Sequence, residues 1–199
     1  MGQKMQFDER FFTQEDAILA NEITRYLRSR SRPEYSLWKW ALKVPIMDRM
    51  SELLKVSPDL SSRFSHRRTN DTSGSVLDLG CGFCVYWPFL SRVGYSKFAG
   101  IDLYSARGLG EQEYMKTAHE IVKKFCNDDV KFIILEDDVR NIDSRIHEID
   151  EKIGTRNFDL VFAKNVDYKK LGSTGIPVDL CDMVCETYLS EGGIKAYAG

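Results

Sequence analysis

The sequence predicts an α/β fold: an open, mostly parallel sheet with helices on both faces, preceded by an N-terminal helical cap. Three observations predict it. From residue 75 onward apolar strands alternate with amphipathic helices, the connections between them are short, and a glycine-rich turn follows the first strand. Parallel crossovers are right-handed, so the helices cover both faces. In such sheets ligands bind at the carboxyl ends of the strands, beside the first strand.

The first part of the chain is predicted to be helical. Thr13 is a suitable N-cap before an acidic first turn, and apolar residues recur at helical spacing over 18–27. A second apolar-periodic stretch covers 37–54, and we expect Pro45 to kink or split it. The following residues, 57–74, are rich in Ser, Asn and Asp and are predicted to form a linker loop. The predicted division is therefore 1–56 as a helical cap or substrate lid, 57–74 as the linker, and 75–199 as the main domain.

The main domain is predicted to contain five strands. Their ranges are 76–79, 98–103, 130–135, 158–163 and 193–197, and the helices between them cover 84–93, 111–125, 142–153 and 180–189. The acidic or amide residues that end several of these strands share one rim of the sheet.

Composition and charge favour a cytoplasmic globular protein. Hydrophobic residues make up 43% and charged residues 29%, with a net charge of -2. The sequence holds no apolar run long enough to cross a membrane, and its N-terminus lacks the features of a secretory signal. The five cysteines are an odd number, which favours reduced thiols over a disulfide framework.

A basic stretch with interleaved aromatic residues lies at 25–43. Such a stretch is compatible with nucleic-acid binding, or more simply with a solvated helix face over a few core aromatics. Within it Tyr35, Trp38 and Trp40 are candidate walls of a substrate pocket, and core packing is the alternative. Because the overall charge is only slightly negative, we favour a small-molecule substrate over RNA or DNA.

The segment VLDLGCGFC, residues 76–84, allows three interpretations. Cys81 and Cys84 form a C-x-x-C pair after a strand, which is typical of a thiol oxidoreductase. The same pair would be half of a metal site, but the remaining histidines and cysteines lack ligand spacing, so no metal is predicted. Gly80-Cys81-Gly82 also fits a turn that wraps a nucleotide-like cofactor, although a lone G-x-G is a weak signal.

Three carboxylates favour the nucleotide interpretation. Asp78 lies inside the apolar first strand, where a carboxylate is costly unless it accepts hydrogen bonds or faces a cation. Asp102 ends the second strand 22 residues after Gly80, a position suited to accept both hydroxyls of a ribose. A third acidic group, EDD at 136–138, closes the next strand at the same rim.

The motifs VLDLGCG, GIDLYS, ILEDDVRNI, FDLVFAKNV and YLSEGGI, in this order and spacing, resemble those of class I S-adenosylmethionine-dependent methyltransferases. The resemblance covers about residues 75–199 and implies a Rossmann-like fold with S-adenosyl-L-methionine as cofactor. It implies that the methionine moiety is lined by Asp78, Leu79, Gly80, Cys81 and Gly82. It further implies that Asp102 holds the ribose, that Leu103 and Val139 flank the adenine, that Asp138 accepts from its amino group, and that Asn165 lies beside the sulfonium.

Two departures from the family pattern stand out. Cys84 occupies a position where the family often has a third glycine. The family sheet usually has seven strands, whereas Gly199 follows directly on the fifth predicted strand. We expect that the sheet lacks the last two family strands, that the sequence is part of a longer protein, or that a second copy or another chain completes the fifth-strand edge.

The candidate catalytic residues follow the fourth strand. They are Asn165, Asp167 and Tyr168, of which the last two are possible bases if the methyl acceptor is a hydroxyl. The function predicted by the resemblance is methyl transfer to a small molecule. The alternatives are a methyltransferase-like binding or scaffold protein, a nucleic-acid methyltransferase and, more remotely, a C-x-x-C thiol oxidoreductase.

Overall fold

A computed structural model describes residues 9–30, 42, 44–66, 73–103, 111–164, 166–167 and 175–198. The strands of its main sheet are β1 (Gly74–Leu79), β2 (Tyr95–Asp102), β3 (Lys131–Glu136), β4 (Phe158–Lys164) and β7 (Leu189–Ala198). They are parallel and lie in the order β3-β2-β1-β4-β7. Two short strands, β5 (Val166–Asp167) and β6 (Ile176–Pro177), pair with each other in parallel. The predicted fold class is confirmed.

Seven α-helices lie in the described part of the chain. They are α1 (Gln14–Arg30), α2 (Ile46–Val56), α3 (Pro58–His66), α4 (Trp87–Ser91), α5 (Glu111–Phe125), α6 (Ile142–Ile153) and α7 (Val178–Tyr188). A 3-10 turn, Val139–Asn141, precedes α6. Helix α1 begins as predicted, because Thr13 and Asp16 cap each other: the Thr13 amide donates to the Asp16 carboxylate at 2.8 Å and the Asp16 amide to the Thr13 hydroxyl at 3.3 Å. Helix α2 begins directly after Pro45, and most of the predicted stretch before this proline lies outside the described residues.

The sheet divides the apolar residues into two cores. Alternate residues of β1 face opposite sides, so Val76 packs with α1–α5 on one face and Leu77 packs with α6 and α7 on the other. The N-terminal helices contribute Ile23, Met50 and Phe64 to the first core. This first face, which also carries the side chain of Asp78, is called face one below.

The predicted loop at 57–74 is wrong for its first half. Residues Pro58–His66 form α3, and only 67–72 lie outside the described residues. Leu60 and Phe64 are four positions apart, so one turn of helix places both on the same side, where they are buried in the core. Serine-rich composition suggested a loop, but two apolar anchors at helical spacing, after a proline at the first helical position, determine the structure.

Two other elements differ in length from the prediction. The helix expected over 84–93 covers only Trp87–Ser91, because residues 81–86 continue the turn after β1. The last strand is longer than the expected 193–197 and begins at Leu189, directly after α7. The positions of the other predicted strands and helices agree with the structure to within a few residues.

In the described part of the chain, every helix is too short or too polar to traverse a lipid bilayer.

Candidate functional site

The candidate site lies where β1 is flanked by β2 on one side and β4 on the other. The chain moves outward from β1 in both directions, which makes the carboxyl end of β1 the switch point of the sheet. Asp78 pairs in register with Gly100 of β2 and with Phe162 of β4. Residues that follow these three strands therefore meet at one rim.

The turn after β1 needs glycine at two positions. Gly80 has φ 76° and Gly82 has φ 52°, both in the left-handed region that L-side chains disfavour. The Gly80 amide donates to the Ile101 carbonyl at 2.8 Å, which fastens the turn to β2. A Cβ on Gly80 would lie 3.1 Å from Ile176, whereas a Cβ on Gly82 would meet nothing within 4 Å. The backbone at Gly82 is thus bare and open on the side where a ligand would approach.

Asp102 is joined to this turn. Its carboxylate Oδ2 accepts from the Gly82 amide at 2.8 Å, and the residue is 2% exposed at the last position of β2. The bond holds the carboxylate beside the glycines, and the carboxylate has lone pairs beyond the one that this bond uses. The two strongest elements of the sequence pattern are therefore in direct contact.

Cys84 adopts a glycine-like backbone conformation. Its φ is 55°, and it is the only residue other than glycine with a positive φ in the described segments. The Cys84 amide donates to the Cys81 carbonyl at 2.9 Å, which closes the turn. A cysteine thus stands where the local backbone favours glycine, as the comparison with the family pattern suggested.

Asp78 faces the protein interior. It is 1% exposed, and its Oδ2 accepts from the indole Nε1 of Trp87 at 2.7 Å. Burial raises the pKa of the Asp78 carboxyl well above its usual range, the Trp87 bond opposes this rise, and the nearby Asp102 charge adds to it. Sequence reasoning placed Asp78 against the methionine moiety but missed Trp87, its partner in the core.

The acidic residues after β3 are paired with basic ones. Asp138 accepts from Arg140 through Nε at 2.9 Å and Nη2 at 2.5 Å, and from the Arg140 backbone amide at 2.9 Å. Asp137 accepts from Arg145 at 2.7 Å and from Asn141 at 2.7 Å. Hydrogen bonds from Arg140 lower the pKa of Asp138, so its carboxyl is ionised and remains an acceptor at neutral pH. Val139, the predicted adenine neighbour, is buried at the start of the 3-10 turn.

The remaining predicted cofactor contacts differ in exposure. Leu79 is buried in the core opposite face one, and Cys81 is buried against β2. A Cβ on Gly100 would lie 2.7 Å from the Cys81 sulfur, so glycine at that position makes room for the turn. Leu103 is exposed, directly after Asp102, which is compatible with contact to a flat ligand.

Several predicted site residues lie outside the described residues. They are the candidate pocket walls Tyr35, Trp38 and Trp40 and the candidate catalytic residues Asn165 and Tyr168. Asp167 belongs to β5, next to the rim. These assignments stay predictions.

The described part of the basic stretch packs against α5. The Tyr26 hydroxyl donates to Glu120 at 2.6 Å, Arg30 pairs with Glu120 at 3.3 Å, and the Tyr26 ring meets Phe125 edge-on at 5.9 Å. This part of the stretch therefore packs largely as the simpler alternative predicted, which was a helix face over a few core aromatic residues.

Sequence reasoning placed Lys164 at the rim but missed two polar residues next to the turn. Tyr86 is buried on face one and Arg49 lies over its ring, while Lys164 forms an ion pair with Glu52 at 2.7 Å. The signal for Arg49 was present but weak, because it is the one basic residue on an otherwise apolar side of α2.

The thiol oxidoreductase alternative has no support in the structure. In a C-x-x-C site the first cysteine is the nucleophile, and a helix N-terminus lowers its pKa. The nearby helix begins at Trp87, six residues after Cys81, so Cys81 lies away from that N-terminus. Among the described residues no group of three or more His, Cys, Asp or Glu side chains is arranged to hold a metal.

Comparison with solved structures finds similarity to methyltransferases. One is a candidate S-adenosylmethionine-dependent methyltransferase from Listeria monocytogenes, with 19% identity over 75% of this chain and 53% of that chain, and a TM-score of 0.45. Another, from Thiobacillus denitrificans with S-adenosyl-L-homocysteine bound, has 19% identity over 64% of this chain and 42% of that chain, and a TM-score of 0.39. A third is phosphoethanolamine N-methyltransferase 1 from Haemonchus contortus, with 13% identity over 92% of this chain and 32% of that chain, and a TM-score of 0.44.

The chain spans about half the length, or less, of these solved structures. No protein-family model and no curated protein sequence matches it. At these identities and TM-scores the similarity concerns the fold alone, and any function has to be argued from the residues of the chain itself.

Proposed function

We propose that this protein binds S-adenosyl-L-methionine at the carboxyl end of β1 and transfers its methyl group to an acceptor. The observation that carries the proposal is the 2.8 Å hydrogen bond from the Gly82 amide to Asp102. It places a buried carboxylate, suited to two ribose hydroxyls, against a bare glycine turn at the switch point of the sheet.

The chain offers groups for each part of the cofactor. The turn at Gly80 and Gly82 gives the methionine moiety close access to the backbone, and Asp102 accepts from the ribose. Asp138 and Val139 are proposed to receive the adenine, with Leu103 against the opposite side of the ring. When bound, the cofactor supplies an electrophilic methyl group on a sulfonium.

The residues of this chain would hold the methyl acceptor in position and exclude water from the site of transfer. Methyl transfer is an in-line displacement, so holding the acceptor atom in line is the main requirement. Asn165, Asp167 and Tyr168, which follow β4, are proposed to orient the acceptor, and Asp167 or Tyr168 would take a proton from an acceptor hydroxyl. Tyr35, Trp38 and Trp40 are proposed pocket walls, contributed by the cap that we assign to 1–56.

We favour a small-molecule acceptor. The net charge of -2 is unlike that of a protein that binds nucleic acid mainly through its phosphates. Because residues 25–43 are basic and aromatic, a nucleic acid is the alternative acceptor. β7 lies at one edge of the five-stranded sheet, and we propose that a second copy or a further segment pairs there. We also propose a cytoplasmic location, because reduced thiols are typical of that compartment.

Calorimetry with S-adenosylhomocysteine tests the proposal. The wild type is expected to bind in the micromolar range, and Asp102→Ala to bind at least about tenfold more weakly, because hydrogen bonds to a charged acceptor contribute about 1.5–3 kcal/mol. Asp128→Ala, an exposed carboxylate just before β3, is the control and should bind like the wild type. A wild type that gives neither binding heat nor a thermal shift would overturn the proposal.

A non-catalytic scaffold with this fold is the second candidate. Cys84 at a left-handed position gives it a specific basis, because strain in the turn works against a preorganised cofactor site. That candidate predicts weak or absent binding by the wild type, with binding restored in Cys84→Gly.

A further inference from the structure

Two tyrosines bury a hydroxyl that has no hydrogen-bond partner among the described residues. They are Tyr86 and Tyr95, and each lies beneath an arginine. A buried hydroxyl without a partner is costly, so such groups are few in folded proteins and call for an explanation. The two differ in location. Tyr95 begins β2 at the amino ends of the strands, whereas Tyr86 lies near their carboxyl ends, two residues after Cys84.

The Tyr86 ring is fixed beside the proposed cofactor turn. It packs edge-on against Phe162, with ring centroids 6.1 Å apart, and Phe162 is the β4 residue in register with Asp78. The guanidinium carbon of Arg49 lies 5.9 Å from the Tyr86 ring centroid, and Arg49 is only 3% exposed. A buried cation and a buried hydroxyl donor therefore adjoin on face one, next to the turn.

A second cation lies at the same edge. Lys164 follows Phe162 by two residues, so both side chains are on face one of β4. Its Nζ contacts Glu52 Oε2 at 2.7 Å, and Glu52 lies one turn after Arg49 on α2. The Lys164 side chain is 9% exposed and that of Glu52 is 56% exposed, so the glutamate reaches the lysine from the solvent side. Two basic side chains, Arg49 and Lys164, therefore lie on face one next to the turn, and Glu52 pairs with the second of them.

The hydroxyl is a donor at any physiological pH. Burial raises the pKa of Tyr86 to about 12, the nearby Arg49 charge opposes this, and Asp78 and Glu52 reinforce it.

We infer that the Tyr86 hydroxyl and the Arg49 guanidinium, flanked by Lys164, bind a carboxylate group of a ligand at this rim. A planar guanidinium and an O–H donor suit a carboxylate, which takes one donor on each oxygen. The carboxylate has two sources: the amino-acid part of the proposed cofactor, or an acidic methyl acceptor. The inference rests on the proposed function for its first source.

Tyr86→Phe tests the inference, with two nucleoside probes that differ in the carboxylate. S-adenosylhomocysteine carries the amino-acid group and 5′-methylthioadenosine lacks it. If the cofactor carboxylate binds at Tyr86, the variant loses about tenfold in affinity for the first probe and none for the second, measured by calorimetry. The variant should fold, because it removes only a hydroxyl that has no partner among the described residues.

A second arm detects an acidic acceptor. Protein saturated with S-adenosylhomocysteine is titrated with succinate, and the wild type is expected to bind it at least several-fold more tightly than Tyr86→Phe. Arg49→Lys keeps the charge but loses the planar guanidinium, and it should weaken binding of the same ligand, S-adenosylhomocysteine or succinate, that Tyr86→Phe weakens. Tyr95→Phe removes the matched hydroxyl at the other edge and should change neither arm.

The outcomes separate this inference from the proposed function. If the wild type binds both nucleosides, and Tyr86→Phe and Arg49→Lys match it in both arms, the inference is wrong and the cofactor site stands. If the wild type binds neither nucleoside, the proposed function fails. Succinate binding to the free protein, weakened by Tyr86→Phe but not by Tyr95→Phe, then still supports a carboxylate site, and its absence overturns that as well.

Discussion

The carboxylate of Asp78 accepts a hydrogen bond from the Trp87 indole at 2.7 Å, inside the core and directly before the glycine turn. An ionisable group in this position is expensive, because burial disfavours its charged form. The chain keeps it two residues before Gly80, where sequence reasoning assigned it to the cofactor.

Asp78→Asn should change how stability depends on pH. Burial raises the folded-state pKa of Asp78, so the folded chain holds this proton more tightly than the unfolded chain. Its stabilising contribution is complete below the unfolded pKa, about 4, and is lost as pH rises through the folded pKa. The free energy of unfolding of the variant, relative to wild type, should therefore increase as pH rises across that window in urea titrations. Asp128→Asn is the surface control, and a relative stability that falls with pH would contradict the prediction.

Trp87→Phe should destabilise the protein by about 2–4 kcal/mol, since it removes both buried volume and the donor to a buried acceptor. The part due to the hydrogen bond is isolated by a double-mutant cycle with Asp78→Ala, which removes the acceptor, and we expect a coupling of at least about 1 kcal/mol by chemical denaturation. The stacking of Trp87 on Phe98, at 5.0 Å between centroids, belongs to the packing part and cancels in the cycle. Additive single effects would show that the 2.7 Å contact contributes nothing to stability.

Cys84→Gly should be at least as stable as Cys84→Ala, the reverse of the usual order at a buried position. Alanine keeps the strain at φ 55°, which glycine removes, and that difference is about 1 kcal/mol. Cys181, buried in α7, is the matched control: there alanine should be more stable than glycine by about 1 kcal/mol. Thermal or urea unfolding of the four variants gives the order of stability of glycine and alanine at each site. The same order at both sites would exclude backbone strain at Cys84.

Sequence patterns predicted the sheet and the turn, because each is a local property of a strand or a turn, and the family resemblance implied the glycine-like role of position 84. They failed at Pro58–His66, where two apolar anchors outweigh a polar composition, and in the extent of the last strand. They also missed Trp87, Tyr86 and Arg49, since these meet the site only through packing between α2, β4 and the turn. Spacing along the chain carries no signal for contacts of that kind.

The cysteines should react slowly with a thiol reagent in the folded protein. Burial raises the pKa of Cys126 and of Cys181 to about 12 and raises that of Cys84 well above its usual range. At pH 8 these thiols are almost entirely protonated as well as shielded, and the thiolate is the reactive form. Labelling followed by absorbance should be at least about a hundredfold slower than in urea, where all five should react. Rapid native labelling of Cys81 or Cys84 would revive the redox alternative.

Removal of the N-terminal helices should prevent independent folding of the rest. Met50 and Phe64 lie in the same core as Phe162 of the sheet. Asp16 of α1 forms an ion pair at 3.5 Å with Arg92, the residue that follows α4. A chain of residues 67–199 would expose this apolar face, so we expect no cooperative thermal transition and strong binding of a hydrophobic dye. A chain that lacks only residues 1–8 keeps α1 whole and should unfold like the full chain. A cooperative transition in the 67–199 chain would instead identify the helices as a separable lid.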